Sequence, residues 1–194
     1  IEACKYYGYN LSIETELSLR SQDHQMTAEF FKKEFGENAD YYKIVETRKK
    51  MMDEYLKGEI IPAKDGAFET LKYIKENTDY KIAIVSSSSI TYVKEHSQEN
   101  NILQFIDKII SVRGLPRGKP FPDVYLKALL EADRSKDEVV VFEDSPNGVR
   151  SAYNAGLRTI FIKDLTGPTK EIKEKTIYQL DKITEVINIL NEFN

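Results

Sequence analysis

A chain of 194 residues can bury a sizeable core. At this size roughly 70% of the unfolded chain's surface leaves water on folding, so one domain, or one domain with a modest insert, is expected. With 41% apolar and 31% charged residues and a net charge of −4, the chain is too apolar for disorder and lacks the basic surface that nucleic acid or an anionic membrane would select. No apolar run approaches the roughly 20 residues of a membrane span.

The opening residues from Ile1 to Gly8 have neither an initiator Met nor the basic and apolar stretches of a signal peptide, and read as the last turns of a helix stopped by Gly8. Cys4 is the single cysteine. With His24 and His96 far apart it can build neither a disulfide framework nor a zinc cluster, and a reducing, cytoplasmic home follows. Up to about Ile60 the pattern is helical. Residues 21–35 place Met26, Phe30, Phe31 and Phe35 at helical spacing before Gly36, and residues 44–56 do the same with Val45, Met51, Met52 and Tyr55 before Gly58. The Tyr41-Tyr42 and Met51-Met52 pairs read as packing within this helical part. Arg48-Lys49-Lys50 reads as a solvated face, Cys4 as a packed thiol and His96 as an exposed imidazole.

After Ile60-Ile61-Pro62 the pattern changes. A helix is expected over 66–77, with Phe68, Leu71 and Ile74 on one face. Apolar strand-like runs follow at 81–85, 105–112, 139–142 and 159–162, with helical patterns at 122–132, 147–155 and 181–193 between or after them. Val/Ile runs alternating with helices indicate a parallel sheet covered on both faces. Ligands of such sheets sit beyond the carboxyl ends of the strands.

Three segments carry polar groups at such positions. Val85-Ser86-Ser87-Ser88-Ser89 offers hydroxyls and backbone N–H groups that can hold an anion, or simply a Ser-rich turn with a helix cap. In Arg117-Gly118-Lys119-Pro120-Phe121-Pro122-Asp123 two prolines stiffen the approach, so Lys119 is a held cation beside a phosphate, or else a solvated surface lysine. Phe142-Glu143-Asp144-Ser145-Pro146-Asn147-Gly148 sets two carboxylates at the tip of an apolar strand, which a cation would neutralise. Oxygen ligands with no His or Cys nearby favour magnesium; the alternative is that Asp144 or Ser145 only caps the next helix. An anion cradle, a fixed cation and an acidic pair are the equipment of phosphoryl transfer. No Walker-type loop, dinucleotide-binding Gly-x-Gly-x-x-Gly or Ser-His-Asp set accompanies them.

In this order, Ile82-Ala83-Ile84-Val85-Ser86, Gly118-Lys119-Pro120 with Pro122-Asp123, and Glu143-Asp144-Ser145-Pro146-Asn147-Gly148 through Ala155-Gly156 resemble the haloacid dehalogenase superfamily. The nearer likeness is to its β-phosphoglucomutase-like phosphatases with a helical cap, and it covers essentially the whole chain. The resemblance implies an α/β fold with a Rossmann-like three-layer core and a parallel sheet over residues 61–194. Residues 1–60 would be a small all-helical cap domain. It further implies a Mg2+-dependent phosphatase of a small phosphorylated metabolite, a sugar phosphate, working as a monomer without nucleic acid or membrane. Ser86 and the Ser87 amide would then bind the phosphoryl group, Lys119 would neutralise it, and Asp144 would ligate magnesium with Glu143 as a second or water-mediated ligand.

In the cap, Arg20 and His24 fall near the segment that faces substrate in such proteins. Arg20 could fork onto a sugar hydroxyl or a second phosphate, although Leu19-Arg20-Ser21-Gln22 stands where relatives often have Arg-Gly. A phosphosugar mutase is the enzyme alternative, and a non-catalytic binding module is the alternative of another class. The family's Asp-x-Asp strand end, which holds the nucleophile and the acid/base, has no counterpart in residues 1–194. A buried sheet lacking that strand would leave backbone groups unpaired at about 1–3 kcal/mol each. The expectation is therefore a native chain extending upstream of Ile1, with these 194 residues inactive alone.

Overall fold

The computed structural model describes residues 1–111 and 113–193. Val112, the last residue of the apolar run expected over 105–112, lies outside the described residues. The chain forms two compact units, Ile1–Ile60 and Ile61–Asn194.

The first unit consists of α1 (Glu2–Tyr6), α2 (Ile13–Leu19), α3 (His24–Phe35) and α4 (Tyr41–Tyr55). Side-chain caps set the starts. Ser12 accepts from the Thr15 N–H, Asp23 from the N–H groups of Gln25 and Met26, and Asp40 from that of Lys43. The helix expected from Ser21 begins at His24 because Ser21 is left-handed at φ 60° and the Asp23 carboxylate takes the orphan amides. Ala3, Cys4, Leu11, Phe31, Ala39 and Ile44 form the core, with Phe30, Phe35 and Tyr41 packed against it. Met51, Met52 and Tyr42 are exposed, contrary to the expectation that they pack. The helix touches α1 and α3 but buries only Ile44, so its last two turns keep their apolar side chains in solvent.

The second unit opens with α5 (Ala67–Asn77), followed by β1 (Ala83–Ser86), α6 (Ile90–Glu99), β2 (Lys108–Ser111), α7 (Asp123–Ala132) and β3 (Val140–Glu143). It continues through α8 (Pro146–Asn154), β4 (Arg158–Ile162), α9 (Lys170–Lys175), β5 (Tyr178–Leu180) and α10 (Val186–Ile189). Every strand pair is parallel: β1 with β2, β3 with β4, and β4 with β5. Alternation along the strands sends side chains to opposite layers. Val141 packs with Val124, Tyr125 and Ala128 of α7 and Ala152 of α8, while Phe161 meets Val149 and Ile172. On the other face Val140, Ile160, Ile162 and Leu180 pack with Ile74 of α5 and Val186 of α10. The outcome is the expected α/β arrangement of helices on both sides of parallel strands.

Several features depart from the sequence reading. Tyr178–Leu180 is a strand, and the helix expected over 181–193 is reduced to α10 flanked by 3-10 turns at Ile183–Glu185 and Leu190–Phe193. The strands also form two sheets, ordered β1-β2 and β3-β4-β5. Among the described residues neither β1 nor β3 has a strand on its other edge. Ala83 is exposed and Phe142 is 40% exposed there, whereas side chains in the middle of a parallel sheet are normally covered on both faces. The strands therefore do not form the single continuous sheet that the sequence reading expects. His96, expected to be exposed, is half-buried with its ring 4.1 Å from that of Tyr92.

Candidate active site

The apolar strand β3 carries Glu143 to its carboxyl end, where the residue is only 8% exposed. Capping of the next helix falls to Ser145, whose Oγ accepts the Gly148 N–H at 3.1 Å, with Pro146 as the first helical residue. The cap is therefore Ser145, and Asp144 lies partly exposed beside Glu143.

The Lys119 loop is clamped onto α8. Ser151 Oγ donates to the Phe121 carbonyl at 2.5 Å, and the Asn154 amide donates to the Pro120 carbonyl at 3.1 Å. Arg117 pairs with Asp123 at 3.0 Å and lies over the Phe121 ring. Held this way, the Lys119 side chain is 20% exposed and its ammonium donates to Glu143 Oε1. It is not a solvated surface lysine.

The same Oε1 accepts the Tyr125 hydroxyl, while Ser145 Oγ donates to Oε2 at 3.4 Å. Tyr125 is buried in the first turn of α7, with its ring centroid 5.5 Å from the Lys119 ammonium. Burial first, then the Glu143 charge and hydrogen bond and the Asp144 charge, push its phenol well above the usual tyrosine range, so it remains a donor. Gly148 completes the enclosure, because a Cβ built there would overlap the Glu143 carboxylate. Gly148→Ala is therefore expected to push that carboxylate off its partners and to destabilise the fold by about 1–3 kcal/mol. A drop in urea midpoint checks this, and an unchanged midpoint contradicts the enclosure.

Ser86 ends β1, and its Oγ accepts the Ser88 N–H at 3.1 Å; Ser87 is exposed at the turn. Ser89 caps α6 by accepting the Tyr92 N–H, and Ser111 Oγ donates to the Ser88 carbonyl at 2.8 Å. These contacts close the turn that follows Ser86 and keep its position fixed relative to β2. In the first unit Arg20 is the residue after α2, and His24 opens α3 with its Nδ1 2.9 Å from the Tyr41 hydroxyl. The structure thus brings Lys119, Glu143 and Asp144 into one cluster, sets Ser86 and Ser87 at the end of β1, and puts Arg20 and His24 in the other unit.

Sequence reasoning passed over Tyr125 and the enclosing role of Gly148. A tyrosine six residues beyond Lys119, on a helix opened by Pro122, was the available signal for the first. The side chains of Glu143, Asp144, Lys119 and a neutral Tyr125 carry two formal negative charges against one positive, an excess that suits a hard cation. Among the described residues no group of three or more His, Cys, Asp and Glu side chains gathers to cage a metal. Magnesium usually binds through one or two carboxylates together with water and substrate oxygens, a set that the Asp144 and Glu143 side chains could contribute to.

Comparison with known proteins gives a consistent picture. A family model described as haloacid dehalogenase-like hydrolase matches residues 2–162. A phosphorylated carbohydrates phosphatase of Thermotoga maritima is 28% identical over 151 residues, 77% of this chain and 67% of that protein. The pyrophosphatase PpaX of Bacillus mycoides is 26% identical over 137 residues, 70% of this chain and 63% of that protein. The matches thus span about two thirds of these relatives' length. Among solved structures, CbbY from Rhodobacter sphaeroides in complex with phosphate superposes with a TM-score of 0.72 at 22% identity, covering 95% of this chain and 85% of that one. A hydrolase from Pseudomonas syringae gives a TM-score of 0.77 at 19% identity over 98% and 88%. These two likenesses concern the fold.

Proposed function

The chain belongs to the haloacid dehalogenase-like hydrolases, and from that premise we propose that it serves a magnesium-dependent phosphatase of small phosphorylated metabolites, sugar phosphates foremost. The observation that carries this reading is the Lys119 ammonium, held by Glu143 and Tyr125 at the carboxyl end of β3 with Asp144 beside it. The Thermotoga maritima relative named as a phosphatase of phosphorylated carbohydrates supports the substrate class.

Lys119 has N–H donors beyond the one it gives Glu143, and these would neutralise phosphoryl oxygens as charge moves onto them. The Ser86 hydroxyl and Ser87 amide would bind the same group from the end of β1. Asp144 would hold magnesium directly; Glu143, with Oε1 already taking two donors, would reach the ion through water. When bound, magnesium supplies charge neutralisation at the phosphoryl oxygens. Arg20 and His24 as substrate contacts rest on the family resemblance.

The nucleophile in this reading is an aspartate on a further strand that would join the two sheets, and the division of the strands into two sheets is compatible with such a strand. Its carboxylate attacks phosphorus and the bond to the sugar oxygen breaks. The leaving oxygen takes a proton from the neighbouring aspartate, and water then frees phosphate from the aspartyl-phosphate. The 194 residues alone would not turn over. Cys4, a single buried thiol, suits a reducing cytoplasmic compartment.

The test gives the intact protein glucose 1-phosphate in the presence of magnesium. Free inorganic phosphate is the expected product, and chelation should abolish its release. Glucose 6-phosphate would mean a mutase. No turnover of this substrate or of a generic aryl phosphate would leave a binding module and end the phosphatase reading.

A further inference from the structure

We propose that Tyr125 is a positioning residue of this site, and that it orders the Lys119 ammonium by sharing the Glu143 oxygen on which that ammonium rests. The inference rests on the phosphatase reading for its catalytic consequence, but its structural part stands on contacts within the second unit. Glu143 Oε1 accepts two donors, Lys119 and the Tyr125 hydroxyl. The Tyr125 ring also faces the ammonium, with its centroid 5.5 Å away.

Each contact does separate work. The hydroxyl fixes the carboxylate in a buried place, where Gly148 closes one side and Ser145 Oγ approaches the other oxygen. The ring limits where the flexible lysine stem can swing, since departure from Glu143 would also forfeit the aromatic face. Tyr125 is itself immobile: it is 5% exposed and packed with Ile110, Val124 and Val141 in the core. A rigid core aromatic thus orients a lysine that stands on a loop.

The decisive substitution is Tyr125→Phe, which keeps the ring and removes the hydroxyl. In the intact protein, kcat on an aryl phosphate should fall about tenfold while KM changes less than twofold, since the loss falls on charge developing in the transition state. In a Lys119→Met background the same substitution should cost less than twofold, because the group it positions is gone. An equal factor in both backgrounds would make Tyr125 merely structural and overturn the proposal.

Lysine-ammonium NMR of the resting protein, with Lys119 assigned by the signal lost in Lys119→Arg, is independent of turnover. The Lys119 resonance should be sharp in the wild type and broadened in Tyr125→Phe. An unchanged resonance refutes the positioning role even if the enzyme is a phosphatase. A broadened one upholds it even if no phosphoester is turned over and the phosphatase reading falls. 4-Fluorophenylalanine at position 125 fills the hydroxyl's volume without its hydrogen. It serves the same comparison should Tyr125→Phe fail to fold.

Discussion

Lys119→Met should lower kcat/KM for phosphate release by about three orders of magnitude, the scale on which fixed charges at a developing oxyanion act, or roughly 4 kcal/mol. It should also destabilise the protein. Glu143 is buried and its Oε1 rests on the Lys119 ammonium. Deleting the cation strands a buried charge, which costs about 3–5 kcal/mol where the partner stays ionised. The two effects separate in a second variant. Lys119→Met with Glu143→Gln leaves a neutral amide that still accepts from Tyr125, so most of the stability should return while activity does not. Urea midpoints and initial rates measured together decide the matter. If the single variant retained both wild-type rate and midpoint, Lys119 would be no more than a loop residue.

Much of the second unit was legible because its strands are short Val/Ile runs with punctuation at both ends. Val139 to Phe142 is followed by two acids, then Ser145 and Pro146 as cap and first turn, and the structure follows that order. The tail was not legible. Tyr178–Leu180 is too short to show a period of two, and Ile183, Val186, Ile189 and Leu190 satisfy a helical spacing that the chain realises only over Val186–Ile189. The exposure of Phe142 could not be read locally either, because an apolar strand residue looks the same whether or not a neighbouring strand covers it. Residue types singled out Lys119, Glu143 and Asp144 as candidates. Their partnership did not show: that Tyr125 and Lys119 converge on one carboxylate oxygen depends on how α7 packs against β3. The choice between cap and ligand within Asp144-Ser145 required geometry, which gives the cap to Ser145.

That division of labour makes Asp144→Asn the sharpest test of the metal assignment. Asparagine keeps the shape of aspartate and discards its charge, so a hard divalent ion should bind about 100-fold more weakly and phosphate release at limiting magnesium should fall by a similar factor. A readout without turnover accompanies it. At magnesium ten times the wild-type dissociation constant, binding stabilises the folded protein by about 1.4 kcal/mol, visible as a rise in melting temperature, while the variant gains less than about 0.1 kcal/mol. With the metal chelated the sign reverses. Removing one of two adjacent carboxylates relieves their repulsion, so Asp144→Asn should then be at least as stable as the wild type. A capping role makes the opposite forecast for Asp144→Ala, which unlike the asparagine variant cannot cap: a loss of about 0.5–2 kcal/mol without metal and an unaltered response to magnesium. Ser145 already accepts the Gly148 amide, so the first pattern is the expected one, and an Asp144→Ala variant less stable without metal yet equally responsive to it would remove Asp144 from the site.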